Sequence, residues 1–542
     1  MTVQRDVIAF LSTPAAYGLP NGSVIERIDT HISIVWLAGG RAYKLKRAVA
    51  FDYVDFSTIE LRRVACDAEV RLNRRTASTL YLGVRAVTRE ADGRLALAGQ
   101  GEPIDWLVEM VRFDQDALFD RLAERQRLDI GLMDGVADAI ARLHAIADPR
   151  PNCGGREGMA WVVEGNALAF SEQLAAGPER EIAERVTAAA RAAVGRHADL
   201  LDARRCQGLV RACHGDLHLR NICLLDGVPT LFDGVEFNEQ ISCVDVLYDL
   251  SFLLMDLWRR GLRAHASAVF NNYLARTRDL GGLPLLPLFL SCRAAVRAKT
   301  SAAGARVQAP GPRRQELQAA AHDYLVLAGT LLAPAPPRLL AIGGFSGSGK
   351  STLARGLAPV VGPPPGALIL RSDVIRKRQL GADPLTRLGP EGYAPDLTRH
   401  VYQTIAHRAR RTLSAGHAVI ADAVFSAPED RNAIAAVAGD VGVPFLGLWL
   451  DAAPALLAGR LSGRRGDVSD ATPAVLDVQL RSGAGPTDWH HVDASLDMRS
   501  VQGRAEELLS GASNSDASSF RRRFPDNHPC DGGSRELGFD DR

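Results

Sequence analysis

His214-Gly215-Asp216-Leu217-His218-Leu219-Arg220-Asn221, followed by Phe232-Asp233, and Gly344-Phe345-Ser346-Gly347-Ser348-Gly349-Lys350-Ser351 are the two stretches on which the reading of this chain turns. Each is a phosphate-handling arrangement, and the two belong to unrelated architectures. In the first, the spacing lets Asp216 accept the proton of a hydroxyl while Asn221, one loop later, reaches a magnesium ion. The second satisfies the Walker A pattern G-x-x-x-x-G-K-[ST] in full. Backbone N–H groups of Gly344, Ser346, Gly347, Ser348 and Gly349, with the helix opening at Lys350, Ser351 and Thr352, are placed to wrap a β-phosphate. Lys350 would neutralise the β/γ oxygens and Ser351 would ligate magnesium. Together they point to ATP handled twice, in two differently built sites.

The bulk properties narrow the class. A chain of 542 residues is too long for one core. An apolar fraction of 46% and a charged fraction of 23% are ordinary for soluble globular protein. Net charge is +1, so no global field attracts nucleic acid or an anionic membrane, and neither is expected as a partner. The cysteines (66, 153, 206, 213, 223, 243, 292 and 530) form no C-x-x-C pair, which predicts reduced thiols in a cytoplasmic protein. Cys213 and Cys223 flank the first motif and read as small buried apolar residues. The N-terminus has no signal-peptide layout, and no apolar run is long enough to span a bilayer.

Outward from the first motif, residues 32–37 and 41–47 read as two strands around the turn Ala38-Gly39-Gly40. Residues 58–75 read as a helix carrying Glu69, and 80–87 and 104–113 as further strands. Helices are predicted over 128–147, 167–201, 246–260 and 264–278. A β-rich small lobe before a helical large lobe is a two-lobed, α+β kinase layout. Residues 331–338 form a proline-stiffened linker. Beyond it, strands at 339–343, 367–370, 418–421 and 444–450 alternate with helices, as in an α/β parallel sheet. The expected division is 1–330, linker 331–338, 339–510, and a polar, disordered tail 511–542.

The first motif resembles the catalytic loop of aminoglycoside phosphotransferases and of choline and homoserine kinases. The resemblance makes Asp216 the base, Asn221 a metal ligand and Asp233 the second metal-binding carboxylate. It places Asp245 and Asp249 in a segment that braces the loop. It also calls for a lysine on the α/β-phosphates and a glutamate to hold it. Lys44 and Lys46 share one face of their strand; Lys46 fits the family pattern better, and Glu69 is the partner. Val108-Glu109-Met110 resembles the hinge that grips adenine through its backbone. No Gly-rich loop precedes the lysine strand, and Asp233-Gly234-Val235 replaces Asp-Phe-Gly, so protein substrates are not expected.

The second half resembles small-molecule P-loop kinases: gluconate, adenylylsulfate and polynucleotide 5′-kinases and zeta toxins. On that resemblance Asp373 orients or deprotonates the acceptor hydroxyl, and Asp422 lies near magnesium. Arg431 contacts substrate, and Arg460, Arg464 and Arg465 form a lid. The whole order, over about residues 1–505, looks like a bacterial two-part family joining a phosphotransferase-like domain to a P-loop domain. Asp55-Phe56-Ser57-Thr58, Leu72-Asn73-Arg74-Arg75 and the stretch from Arg293 to Lys299 fit it. The expected activity is magnesium-dependent, bifunctional transfer from ATP to small hydroxyl compounds. A pocket for a cationic antibiotic would need clustered carboxylates. Two other readings stay open: ATP binding as a regulatory switch, and a polynucleotide 5′-kinase with a basic groove beside Asp373.

Overall fold

The computed structural model describes residues 2–51, 53–383, 386–463 and 469–523. Two compact units divide the chain. One takes Met1–Pro337, Ala358–Ile369 and Arg411–Val419; the other takes Arg338–Leu357, Leu370–Arg410 and the chain from Ile420 on.

In the first unit the apolar alternation of the N-terminal third produces a six-stranded sheet. Strand Glu102–Val111 is central. On one side it pairs with Arg41–Lys46, then Ser33–Ala38 and Ile25–Asp29; on the other lie Tyr81–Arg89 and Leu95–Leu97. Helix Ile59–Asn73 packs on this sheet through Cys66 and Val70. Thr58 caps it, its hydroxyl accepting from the Leu61 N–H at 3.2 Å.

The large lobe is helical and departs from expectation in one place. A single helix over 167–201 was expected; three are present, Gly155–Gln173, Pro178–Arg196 and Ala198–Cys206. The break falls at Gly177-Pro178, where the glycine takes φ 148° and the proline starts the next helix. Two long helices near the end of the lobe, Leu286–Val307 and Pro312–Leu332, were not foreseen. Their polar and apolar residues are spread around the helix instead of gathered on opposite faces, so no amphipathic stripe marks them, and the prolines at their starts sit where a helix tolerates them.

The second half holds a five-stranded sheet ordered Leu368–Arg371, Val419–Asp422, Leu339–Gly343, Phe445–Asp451, His490–Asp493. Leu339–Gly343 runs parallel to Phe445–Asp451, which runs parallel to His490–Asp493. The last of these was not expected, because its four residues, three of them exposed, carry no apolar run. The strand feeding the Walker loop is therefore central, and Asp422 closes its neighbour. Helix Met498–Arg523 continues past Gly511, where the polar tail was expected to start; residues 524–542 lie outside the described residues. Among the described residues no helix is long and apolar enough to cross a membrane.

Candidate active sites

The first site forms where the lysine strand, helix Ile59–Asn73 and the loop after Cys213 converge. Gly215, directly before Asp216, takes φ 83°, which a glycine adopts without strain. The Asp216 side chain is 39% exposed. His218 Nε2 lies 3.3 Å from its Oδ2, and the Asn221 amide donates to the same oxygen at 3.0 Å and to the Asp216 carbonyl at 2.9 Å. Burial pushes the Asp216 carboxyl up, but His218, His214 and Arg297 outweigh it and hold the group below the ordinary carboxylate range. It is an ionised acceptor at neutral pH.

Asp233 sits at φ 60° with its side chain 42% exposed. Its N–H donates to the Tyr81 hydroxyl at 3.1 Å, and the next N–H, of Gly234, donates to Asn73 Oδ1 at 2.8 Å. Lys44 donates to Asp233 Oδ1 at 2.5 Å and to Glu69 Oε1 at 2.9 Å. Lys46 is fully buried and contacts Glu69 and Glu236. Burial raises the Glu69 carboxyl, yet Lys44 and Lys46 together bring it down to about 2. Glu236 is instead pushed up, chiefly by burial.

Both lysines thus share Glu69, but only Lys44 reaches the cleft carboxylate. Lys46, the better fit to the sequence pattern, is enclosed away from it.

The loop itself is held from behind. Asp249 is completely buried; its Oδ2 accepts from the His214 N–H at 3.2 Å and its Oδ1 from the Gly215 N–H at 2.8 Å. His144 Nε2 lies 3.1 Å from the same carboxylate. Burial raises Asp249, while His144, His214 and Arg293 lower it further, to about 2. His144, Cys213 and Asp249 offer ligand atoms within 4.8 Å of one another. Asp249 is committed to two backbone donors, however, and Cys213 Sγ donates to the Val244 carbonyl, so the cluster is a brace. Asp245 caps helix Val246–Arg259 and pairs with buried Arg204, which also binds Asp279.

Glu109 and Met110 do not form an open hinge. Both lie inside the central strand, paired with Tyr43 and Ala42 on one side and with Gly83 and Tyr81 on the other, so their backbone is committed to the ladders. The Glu109 carboxylate is held by Arg85 at 2.6 Å. Phe113, just past the strand, packs edge-on against Phe232, with ring centroids 5.4 Å apart.

In the second site Gly344, Gly347 and Gly349 take φ 134°, 88° and 91°. A β-carbon on Gly344 would lie 2.6 Å from the Leu450 carbonyl oxygen, and one on Gly347 would lie 2.7 Å from that of Leu457, so only glycine fits. Lys350 Nζ donates to the Gly344 and Phe345 carbonyls at 2.8 and 3.0 Å. The Ser346 N–H donates to Gln479 Oε1 at 2.9 Å. Ser348 is buried, Ser351 half-buried and Thr352 exposed.

Asp422 is buried. Burial raises its carboxyl against the pull of Arg371, Lys350 and a hydrogen bond from Ser351, with Asp373 adding to the rise. Arg371 Nε stands 3.7 Å from Asp422 Oδ2, and that oxygen has no hydrogen-bond partner among the described residues.

Asp373 stands in the first turn of helix Ser372–Gln379. Arg460 is half-buried in the last turn of Pro454–Ser462. Arg464 and Arg465 lie outside the described residues.

Residues 85–284 match the model of the phosphotransferase enzyme family, and residues 339–486 match that of an AAA domain. The chain carries a phosphotransferase domain.

An uncharacterized protein of Mycobacterium tuberculosis and one of Mycobacterium bovis are each 29% identical over 514 residues, spanning 92% of this chain and 98% of the relative. A choline/ethanolamine kinase family protein from Mesorhizobium loti is 12% identical over 60% of this chain and 97% of its own, with a TM-score of 0.39. A gluconokinase from Sinorhizobium meliloti is 20% identical over 35% of this chain and 99% of its own, with a TM-score of 0.25.

Around the phosphotransferase domain's loop Glu236 carried no signal of its own, and Arg75 and Arg293 lay in stretches that fit the family pattern without an assigned role. Glu236 follows Asp233 by three positions and looks like any loop carboxylate until Lys46 is seen against it. Arg293 donates to the Tyr248 carbonyl at 3.1 Å and the Gly215 carbonyl at 3.2 Å, with its guanidinium 3.8 Å from the Tyr248 ring centroid. Arg75 ties the end of helix Ile59–Asn73 to the Ala212 and Cys213 carbonyls. In the AAA domain Arg431 is a staple rather than a substrate contact: it is buried and donates to the Phe425, Ser426, Ala484 and Pro486 carbonyls. Asp470 pairs with Lys377 at 2.8 Å and accepts from the Tyr393 hydroxyl at 3.0 Å.

Proposed function

We propose that this phosphotransferase is a magnesium-dependent enzyme with two active sites, each moving the γ-phosphoryl group of ATP to the hydroxyl of a small molecule. Residues 1–330 would hold one site and 339–510 the other, joined by 331–338. The observation that carries the reading is the Asp216 carboxylate, kept ionised and half-exposed with Asn221 on one oxygen and Lys44–Asp233 as the neighbouring charge pair.

Asp216 takes the proton of the acceptor hydroxyl as its oxygen attacks phosphorus. Lys44, held by Glu69, sits on the α/β-phosphates. Asn221 and Asp233 supply the hard oxygen donors that magnesium prefers, and the exposed Asp233 side chain is open to it. Magnesium, when bound, neutralises the phosphate charge. Adenine would stack near Phe113, where the strand has ended.

In the second site Lys350 and the loop N–H groups hold the phosphates, and Asp373 orients the acceptor hydroxyl. The Asp422 carboxylate, with no hydrogen bond on Oδ2 among the described residues, and the Ser351 hydroxyl that bonds it make an all-oxygen donor set that fits magnesium. Arg460 would close on the transferring group.

The test is ATP consumption by the full-length protein and its Asp216→Asn, Lys350→Met and doubly substituted forms, against a library of hydroxyl metabolites. Two acceptors, each lost with one substitution, are expected. Equal turnover by all four forms would end the proposal.

A further inference from the structure

Four carboxylates of this unit already have a basic side chain within ion-pair distance. Asp120 has Arg220 at 3.3 Å, Asp256 has Arg260 at 3.1 Å, Asp323 has Arg259 at 2.6 Å, and Asp249 has His144 at 3.1 Å. Asp256 is part of the loop's own frame, since its Oδ2 accepts from the Leu219 N–H at 3.1 Å. None of these four is left without a basic partner for a cationic alcohol, Asp216 is needed as base, and Asp233 is paired with Lys44.

What is left over is a guanidinium, that of Arg297. Helix Leu286–Val307 lays Arg293 against the Gly215 carbonyl, and one turn later on the same face it presents Arg297. The Arg297 guanidinium lies 5.8 Å from the centroid of the Tyr324 ring, which Arg259 approaches at 5.4 Å. Among the described residues no carboxylate lies within ion-pair distance of Arg297 or of Lys299, and both are half-buried. A half-buried guanidinium stacked on an aromatic ring, with its donors unspent, is built to receive a planar or tetrahedral anion.

We infer that the first site phosphorylates an anionic alcohol, a small molecule carrying a carboxylate or phosphate as well as the hydroxyl, with Arg297 as the anchor of its acidic group. This rests on the reading of Asp216 as the base. The acceptor oxygen forms the new bond to the γ-phosphorus, and its proton passes to Asp216 and then to solvent. The bond from phosphorus to the β–γ bridging oxygen breaks, and ADP leaves with the electron pair. The product is a phosphomonoester of the starting acid.

The experiment uses the full-length Lys350→Met protein and acceptors matched in hydroxyl but not in charge: glycerol, D-glycerate, glycerol 3-phosphate, ethanolamine and choline. It then extends to longer hydroxy acids, sugar phosphates and amino alcohols. Turnover is expected with an acidic member, and the carboxylate and phosphate arms tell which anion is read. Arg297→Gln should raise the KM for that acceptor by about tenfold or more while the KM for ATP stays in place. Arg297→Lys should recover part of the loss, and the thermal midpoints of both variants report folding. Preference for an amino alcohol, no turnover of any acidic alcohol, or a rise in the KM for ATP instead of the acceptor would each overturn the inference. Acceptor-dependent turnover that survives Asp216→Asn would instead remove the reading of Asp216 on which it rests.

Discussion

Lys44 donates to Asp233 across 2.5 Å and so ties strand Arg41–Lys46 to the Phe232-Asp233 stretch that follows the Asp216 loop. Two positions along the same face, Lys46 is closed off between Glu69 and Glu236. The two lysines should therefore fail differently. Lys44→Met removes the charge facing the phosphates, and kcat at the first site should fall roughly 100-fold or more with modest change in Tm. Lys46→Met leaves two buried carboxylates short of a counter-charge and should cost about 3–5 kcal/mol of stability, read by denaturant unfolding. Reversal of the two phenotypes would return the phosphate contact to Lys46.

Asp216→Asn removes the proton acceptor while keeping the shape of the side chain. Steady-state assays should register a kcat at the first site lower by about 10²–10⁴-fold, with nucleotide binding retained. Because His218, His214 and Arg297 overcome burial and hold this carboxyl below its ordinary range, the wild-type profile should show no acid limb from it between about pH 5 and 8. A limb in that window that disappears with Asp216→Asn would contradict the geometry.

Asp249 makes a separate prediction about acid stability. Its folded pKa, about 2, lies below the ordinary 3.8, so its contribution is complete above 3.8 and is lost as pH falls from there toward 2. Since the side chain is buried, the contribution is on the order of 2 kcal/mol. The stability gap between wild type and Asp249→Asn should narrow across that window in urea titrations. A gap independent of pH would mean the carboxylate does not carry its charge against the His214 and Gly215 N–H groups.

If both proposed sites turn over ATP, an Asp216→Asn background isolates the second, and there Ser351→Ala and Asp422→Asn should each raise the magnesium concentration for half-maximal rate by roughly tenfold or more. Unchanged magnesium dependence in both would remove these two from the metal's donor set.

Gln479 holds the Ser346 N–H at 2.9 Å, a donor that a bound phosphate would claim. Gln479→Ala frees it, and the KM for ATP at the second site should drop roughly threefold to tenfold. A rise instead would make Gln479 part of the nucleotide grip.

Much of this was readable before any coordinates. Short-range patterns carry their own geometry: Gly344 to Ser351 joins strand Leu339–Gly343 to helix Lys350–Leu357, and Asn221 folds back to donate to Asp216. Partners that come from elsewhere in the chain do not announce themselves. Glu236 matters because Lys46 folds onto it, and Arg293 because its helix passes behind Gly215. Glu109-Met110 reads as a hinge by local resemblance, and only the pairing of strands on both sides takes that backbone away. Arg431 followed the same rule in reverse: a charge that looked free in sequence is spent on four carbonyls.

The missing side chain of Gly347 has a mechanical consequence. It lets the Leu457 carbonyl, and with it helix Pro454–Ser462, rest directly on the phosphate loop with no spacer between. The loop backbone and the helix that carries Arg460 in its last turn therefore meet with no side chain between them, so under the proposed function a shift of one is transmitted directly to the other.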